Sequence, residues 1–382
     1  MSASPSLSGG ERRFITPADA AAQEFAVYQD LASLPPAVQS LFREAALREG
    51  FFVSLPWLAN LAAHGGLAGD DMRLYTLGTA EDEPRLLLPL LGFSGRFGVR
   101  TLSALTNWYS SFYAPLLSAD AQVSLLLPRM LQRIVAEGWD QIDLRPMDVD
   151  SPSFAALEEA LRVAGMAVQR YFCFINWYLQ VDGRSYAEYA ASLPSSLRNT
   201  LKRKEKSLAR SGRASFRIVT GADDLDLEAG IAAYEAIYRN SWKSPEPTPA
   251  FMPALIRLCA REGWLRLGLA HVDGEPAAAQ LWIVCDGVAS IYKLAYDERY
   301  AALSIGSLLT ARMMEHAIDL DRVREVDYLT GDDAYKRDWM SHSRERWGLV
   351  AYNLRSARGM ALAALNIGGG KFKRWLRRLR GG

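Results

Sequence analysis

The sequence predicts a mixed α/β (α+β) protein made of two copies of one domain, each with a largely antiparallel sheet flanked by helices. Three observations lead to this prediction. The chain has 382 residues, which is enough for about two domains. Its composition, 49% hydrophobic and 23% charged, is typical of a globular protein. Four short stretches of the first half recur in the second half at offsets of 183 to 192 residues.

The repeated stretches predict the same elements in the same order. The pairs are 75–85 with 269–277, 124–130 with 307–313, 141–145 with 325–329, and, more loosely, 54–57 with 240–242. The first pair predicts a strand, an acidic turn and a second strand, the next opens a helix, and the third forms a short strand. Two unrelated domains with similar strand–turn–strand patterns are the alternative interpretation.

The second copy shows the shared unit most clearly. Alternating or continuous apolar residues predict its strands, and Asp273-Gly274 and Asp286-Gly287 predict hairpin turns, because glycine tolerates positive φ. The predicted elements are helices at 228–241, 253–262 and 304–319 and strands at 264–272, 277–285, 288–296 and 324–329.

The predicted organisation has five segments. They are a disordered tail (1–20), a first domain (21–180), a linker (181–215), a second domain (216–355) and a basic C-terminal tail (356–382). The linker contains an amphipathic helix over 195–211, since Leu197, Leu201 and Leu208 recur at near-helical spacing among charges. Pro194-Ser195-Ser196 provides a favourable context for its N-cap.

Charge is segregated along the chain, although the net charge is only +1. Residues 197–213 and 371–382 each carry a net +6, which leaves about −11 on the rest. Local basic patches on an acidic body predict anionic ligands or a membrane surface at defined places. The last segment also has an apolar stripe of Phe372, Trp375, Leu376 and Leu379, which favours a helix lying on an anionic membrane. Plain solvated helix faces are the alternative.

Cysteine, histidine and hydropathy patterns exclude several functions. The three cysteines lie in apolar stretches, which argues against disulfides and favours a reducing compartment. The four histidines are scattered and no zinc or thiol-redox spacing occurs, so no metal is predicted. No run of 18 apolar residues and no secretory signal pattern occur, which predicts a cytoplasmic protein, with peripheral contact at the inner membrane face.

Motifs of the second copy resemble the GNAT acetyltransferase superfamily. They are Ser241-Trp242-Lys243, residues 292–297, residues 304–308 and, most specifically, residues 327–339. Together they resemble the CelD-like branch, which is similar to the FemAB peptidyltransferases with two tandem GNAT folds. The resemblance covers roughly residues 45–352. It implies two tandem GNAT-like domains that transfer an acyl group from acetyl-CoA or another acyl-CoA to an amine, often in exopolysaccharide or cell-envelope pathways.

The resemblance implies that residues 303–308 bind the pyrophosphate of the cofactor. A helix N-terminus offers free N–H groups and a positive dipole end, although only one glycine of the usual superfamily loop is present here. The predicted cofactor-binding residues are Leu294, Ala295, Tyr296, Ser304, Ile305, Gly306, Ser307 and Leu308. A plain serine N-cap is the alternative. The equivalent loop of the first copy carries Asp120, which would repel phosphate, so the first domain is predicted to be degenerate.

Acyl transfer to an amine needs a proton acceptor, an oxyanion donor and a proton for the leaving thiolate. Asp327 is predicted to accept the amine proton or orient the acceptor, Tyr335 to protonate the thiolate, and Lys336 to bind an acidic group of the acceptor. The predicted acceptor-binding residues, in a cleft between the domains, are Trp242, Lys243, Trp108 and Tyr109. Salt bridging, aromatic packing and solvation are the alternative roles of these side chains.

The leading functional prediction is an acyl-CoA-dependent N-acyltransferase that acts on an amino sugar or another envelope precursor. The first alternative is a FemAB-like aminoacyl-tRNA-dependent peptidyltransferase whose basic helix docks tRNA, although the near-neutral net charge argues against it. The second alternative is a scaffold that has kept the fold and lost the chemistry.

Overall fold

The computed structural model of the chain describes residues 25–67, 71–78, 83–223 and 226–368. The predicted disordered tail (1–20) and the basic, apolar-striped segment 371–382 lie outside the described residues. The first part of the predicted C-terminal tail forms a short helix, given below as α11.

The first half alternates helices and strands. In chain order they are β1 (Phe25–Tyr28), α1 (Pro36–Glu49), α2 (Leu55–His64), β2 (Asp71–Gly78), β3 (Pro84–Ser94), β4 (Arg100–Ala104), β5 (Leu116–Leu117), α3 (Val123–Ala136), β6 (Gln141–Asp148), α4 (Pro152–Val163) and β7 (Met166–Gln180). Two helices, α5 (Tyr186–Ser192) and α6 (Ser195–Ser211), then lead to the second half.

The second half repeats this order apart from the two-residue β5. Its elements are β8 (Ala214–Val219), α7 (Leu227–Arg239), α8 (Phe251–Arg261), β9 (Leu265–Val272), β10 (Glu275–Cys285), β11 (Val288–Tyr296), α9 (Ile305–Glu315), β12 (Glu325–Asp327), α10 (Ala334–Trp339), β13 (His342–Asn353) and α11 (Ala357–Ala363). The succession βααβββαβαβ occurs in both halves, which confirms the predicted fold of two tandem α/β units.

The strands described form one mixed sheet in the order β1-β2-β3-β4-β6-β13-β7-β12-β11-β10-β9-β8, with β5 beside β3. The two parallel pairs are β4 with β6 and β11 with β12, one in each half. Both predicted hairpin turns are present, at Asp273-Gly274 and Asp286-Gly287. All four of these residues have positive φ, as a type I′ turn requires. The predicted helix 304–319 is α9 continued by a π-helical turn over His316–Leu320.

The two halves exchange their last strands. β7 of the first half pairs with β12 of the second half, and β13 of the second half pairs with β6 of the first. β7 and β13 also pair with each other, from Tyr178↔His342 to Met166↔Asn353. Each half therefore completes the sheet of the other. The predicted domain boundaries did not include this exchange, because they assign all of 342–353 to the second domain alone.

The predicted amphipathic helix is α6. It begins at Ser195, as expected, but Pro194 is its N-cap residue and no side chain caps it. Leu201 and Leu208 are buried on one face. The exposed basic residues on the opposite face, here called the basic stripe, are Lys202, Arg203, Lys206 and Arg210.

A shared aromatic core joins the halves on one side of the sheet. The ring of Tyr109 stacks on Phe251 with centroids 3.7 Å apart. Trp57 of α2 meets Phe251 of α8 and Tyr292 of β11 edge-on, with centroids 5.9 and 5.8 Å away. Because the two halves share this core as well as the central strands, we expect them to unfold together.

Phe251→Ala is expected to destabilise the whole protein by about 3–5 kcal/mol, since it empties space in a core that both halves line. Urea unfolding followed by tryptophan fluorescence and by far-UV circular dichroism should give one coincident transition that moves to lower urea. Two separate transitions, with only one of them shifted, would contradict a common core.

Candidate functional site between β11 and β12

β11 extends beyond its parallel partner β12. The two strands pair only at Val288–Ser290, whereas β11 continues to pair with β10 as far as Tyr296. Among the described residues, the β11 edge from Ile291 to Tyr296 therefore faces no strand on its β12 side. A wedge opens between this edge and the chain that follows β12.

A cavity of about 230 Å³, here called the wedge cavity, lies at this opening. Its walls come from β11, from the turn after β12 and from a loop of the first half. The predicted site residues that line it are Trp108, Tyr109, Lys243, Leu294, Tyr335 and Lys336. The structure thus brings together residues that are more than 200 positions apart in the sequence.

The corresponding edge of the first half is closed. β4 ends at Ala104, one residue beyond its pairing with β6. The following loop folds back along β6, where Thr106 Oγ1 donates to the Arg145 carbonyl (2.9 Å) and the Tyr113 N–H donates to the Pro146 carbonyl (2.6 Å). The position of the wedge is therefore filled by the chain itself in this half.

The N-terminus of α9 follows the end of β11 closely. Ser304 is its N-cap residue, with φ +55°. The Ser304 side chain makes no capping hydrogen bond, so it does not cap the helix in the way that the alternative interpretation requires. Ile305 and Leu308 point into the core. Lys204 of α6 donates to the Ala302 carbonyl (2.5 Å), which brings a cation to the loop that precedes α9.

Gly306 is packed against an aromatic pair. A Cβ atom on Gly306 would lie 3.3 Å from the ring of Tyr296, and Trp242 packs on that ring with centroids 4.6 Å apart. The space for a ligand beside Gly306, one of the predicted cofactor-binding residues, is therefore limited on this side. Trp242 belongs to this aromatic pair and not to the lining of the wedge cavity. Ala295, on β11, is buried.

Asp327 lines a second cavity, of about 280 Å³, instead of the wedge cavity. Its carboxylate accepts hydrogen bonds from Asn176 Nδ2 (2.5 Å), the Leu329 N–H (2.6 Å) and Arg344 Nη2 (2.7 Å). Leu329 has φ +54°, a left-handed conformation that is costly for leucine, and these bonds hold it there. These three donors favour a positioning role for Asp327 over the predicted role as proton acceptor.

Lys336 is also engaged by the turn after β12. The residue is only 4% exposed, and Nζ donates to the Thr330 carbonyl (2.5 Å) and lies 3.3 Å from Asp333 Oδ2. Burial lowers the pKa of this ammonium, while Asp333 acts in the opposite direction. These contacts favour a clamp on the turn over the predicted binding of an acidic group.

Tyr335 also lines the wedge cavity. Its ring is edge-on to Tyr328, with centroids 5.7 Å apart, whereas Trp339, four residues further along α10, is buried in the core. Burial raises the pKa of Tyr335 to about 12. The phenol is protonated at neutral pH, and its raised pKa makes it a weaker acid than an ordinary tyrosine.

Lys243 reaches the wedge cavity from the segment after α7. Burial lowers the pKa of Lys243, and the positive charge of Lys293 lowers it further; Lys336 also lowers it, while Glu246 and Asp333 raise it. Tyr109, in contrast, is buried and mainly joins the halves, since it stacks on Phe251 and its hydroxyl accepts from Thr248 Oγ1 (2.9 Å).

We expect Lys243 to react with an amine-acylating reagent at lower pH than an exposed lysine does, because a lowered pKa leaves more neutral amine at a given pH. Competitive labelling between pH 7 and 11, read by peptide mass spectrometry, would compare it with Lys206 on the basic stripe. Equal pH profiles for the two lysines would show that the cavity does not perturb Lys243.

Two site residues were missed by the sequence analysis. Asn176 lies on β7 and Arg344 on β13, and Arg344 Nε donates to Asn176 Oδ1 (2.6 Å). Asn176 also donates to the Leu329 carbonyl (2.8 Å), so residues from both exchanged strands hold the turn after β12. No local motif marks either residue, because their roles depend on strand pairing between distant segments.

In residues 25–67, 71–78, 83–223 and 226–368, no group of three or more His, Cys, Asp or Glu side chains could hold a metal ion. None of the described helices combines the length and the apolar character needed to cross a bilayer.

Comparison with known proteins places this geometry in a family context. Residues 195–337, from α6 into α10, match the family model of the acetyltransferase (GNAT) domain. No curated protein sequence matches the chain. The matched residues make up less than half of the chain and include α9 and the turn after β12.

Solved structures share the fold across both halves. The structure of FemX matches with a TM-score of 0.58 and 11% identity, covering 86% of this chain and 97% of that chain. The C-terminal domain of a putative lysylphosphatidylglycerol synthetase from Agrobacterium fabrum has a TM-score of 0.51 and 12% identity, over 86% and 95% of the two chains. The structure of L-PGS from Bacillus licheniformis has a TM-score of 0.52 and 10% identity, covering 86% of this chain and 96% of that chain. At these identities the likeness shows the fold alone, which is the tandem GNAT fold.

Proposed function

We propose that the protein is an acyl-CoA-dependent N-acyltransferase whose second half binds the acyl donor and whose wedge cavity receives an amine acceptor, such as an amino sugar or another envelope precursor. The observation that carries this proposal is the contrast between the halves. The β11 edge is open beside α9, whereas the matching edge of β4 is closed by the loop that follows it.

The residues around α9 fit the diphosphate of acyl-CoA. The first-turn N–H groups of a helix have no intrahelical acceptors, and no side chain caps α9. The Lys204 ammonium at the Ala302 carbonyl adds positive charge. In the first half, the carboxylate of Asp120 stands before α3 and pairs with Arg85, so that site offers no comparable attraction.

The residues around the wedge cavity have different roles in the proposed reaction. Acyl-CoA, when bound, supplies the acyl group as a thioester. The unpaired β11 edge at Leu294–Tyr296 offers backbone N–H groups to a developing oxyanion. Tyr335 can pass its proton to the leaving sulfur and take up the proton that the acceptor nitrogen loses as the amide forms. Lys336 and the Asp327 network fix the turn that forms the opposite wall.

Thermal unfolding with and without acetyl-CoA tests the proposal directly. A ligand that binds only the folded state stabilises it by about 2.7 kcal/mol at 100 times its dissociation constant. We therefore expect a rise in Tm with micromolar to millimolar acetyl-CoA and with CoA. No shift at millimolar concentration of either ligand would contradict the proposal and leave the scaffold interpretation.

The tRNA-dependent alternative is favoured by one specific observation, the basic stripe on α6. Its four cations are exposed on the side of the helix opposite Leu201 and Leu208. Filter binding of aminoacyl-tRNA at several salt concentrations separates the two candidates. Tight binding with a steep salt dependence, together with no effect of acetyl-CoA, would favour the alternative.

We also propose peripheral attachment to anionic membranes through residues 371–382, which lie outside the described residues. Six cations near an anionic surface contribute up to roughly 6 kcal/mol before ordering costs. In sedimentation assays we expect binding to anionic vesicles that fades with added salt and disappears when 368–382 are deleted. Equal binding of the truncated protein would contradict the role of this segment.

A further inference from the structure

Three lysine side chains converge on the wedge cavity. Lys293 Nζ lies 2.7 Å from Glu246 Oε1, and Lys336 Nζ lies 3.3 Å from Asp333 Oδ2. Lys243, the third, has no carboxylate within ion-pair distance among the described residues. The cavity therefore contains one ammonium group whose charge is not balanced by a neighbouring acid.

An unbalanced ammonium in a concave site costs free energy. Burial removes water from Lys243, and the Lys293 ammonium repels it, which is why its pKa is lowered. Lys336 adds to the repulsion, while Glu246 and Asp333 oppose it. An anionic group bound beside Lys243 would supply the missing counter-charge in a site where interactions between charges are stronger than in water.

The rest of the lining suits a small polar molecule with one apolar face. Trp108 lines the cavity and is 62% exposed, with its ring centroid 6.0 Å from that of Tyr109. Ser111 of the first half and Thr330 of the second half both contribute hydroxyl groups to the cavity wall, and their oxygen atoms lie 2.9 Å apart. The volume of about 230 Å³ is below the roughly 300–1,000 Å³ of sites for drug-sized ligands, so it suits a ligand of monosaccharide size.

We propose that the acceptor carries an acidic group, a carboxylate or a phosphate, which pairs with Lys243 Nζ while Trp108 covers an apolar face of the same molecule. The inference rests on the proposed function, because it names the substrate class of the same cavity. Lys243 is thus a specificity-determining residue, and neutral amines of equal size are poorer acceptors.

The test compares three probes of similar size: D-glucosamine, D-glucosamine 6-phosphate and D-glucosaminic acid. Thermal shifts of the full chain, measured without acetyl-CoA, report binding of each probe alone. We expect the phosphate or the carboxylate probe to stabilise the protein at about tenfold lower concentration than glucosamine does, and the better of the two identifies the acidic group. Equal effects of all three probes, or no effect of any, would overturn the proposal.

Lys243→Gln should remove this preference, whereas Arg239→Gln, an exposed cation at the end of α7, should retain it. Circular dichroism checks that both variants fold. A preference that survives in Lys243→Gln, or that is lost equally in Arg239→Gln, would overturn the proposal.

Acetyl-CoA titrations of Lys243→Gln should match the wild type; weakened acetyl-CoA binding would instead assign Lys243 to the donor. Failure of acetyl-CoA to bind the wild type would contradict the proposed function and leave the probe experiment intact.

Discussion

Ser307→Glu is expected to weaken acetyl-CoA binding by roughly 100-fold without disturbing α9. Ser307 is the third residue of α9, where a carboxylate is favourable for the helix because it faces the positive dipole end. A diphosphate at the same N-terminus would meet a like charge about 5 Å away, a repulsion of about 3 kcal/mol at an effective dielectric constant of 20. Isothermal titration calorimetry measures the loss.

Two matched variants test whether the loss comes from the charge or the size of the new side chain, and which half of the protein binds the donor. Ser307→Gln has a side chain of the same size without the charge, so its dissociation constant should stay near the wild-type value. Ser124→Glu places the same charge in the first turn of α3, the equivalent helix of the first half, and should have no effect. A comparable loss in Ser124→Glu would show that the donor has been assigned to the wrong half.

Arg344→Met is expected to lower the free energy of unfolding by about 3–5 kcal/mol. Arg344 Nη2 is 2.7 Å from both Asp327 Oδ2 and Glu325 Oε1, and Asp327 is 7% exposed. Removing the guanidinium leaves a buried carboxylate without its cation, which costs far more than an exposed pair is worth. Urea unfolding at neutral pH gives the value.

Arg337→Met is the matched control, because it removes another arginine from an aspartate pair. Arg337 Nη2 lies 2.9 Å from Asp332 Oδ2, but both side chains are about half exposed. Such a pair contributes about 0–1 kcal/mol. Equal losses of unfolding free energy in the two variants would show that burial does not increase the contribution of the Asp327 network to stability.

Local patterns were enough to predict the elements from α7 to β12, whereas β8, α10 and β13 were not among the predicted elements. Asp273-Gly274 and Asp286-Gly287 mark turns through their own backbone preferences, and the strands beside them carry continuous apolar runs. The helix α6 follows from the spacing of Leu201 and Leu208. These features depend on neighbouring residues, which is why one sequence is sufficient to find them.

The site was only partly accessible from the sequence, because its geometry depends on non-local pairing. Tyr335 and Lys243 were singled out by the family resemblance, and the structure places both at the wedge cavity. Asp327 was assigned a chemical role that its buried contacts do not favour. Those contacts come from Asn176 and Arg344, whose side chains reach it only because β7 and β13 lie between β6 and β12.

The exchange of β7 and β13 makes the two halves obligate subunits of a covalent pseudo-dimer. A second half separated from the first would leave the outer edge of β12 and both edges of β13 without partners, a template for self-association. The first half therefore supplies a final strand, β7, that both β12 and β13 need as a partner. In the proposed function, the half that binds no donor still supplies part of the wedge cavity wall, through Trp108, Tyr109 and Ser111.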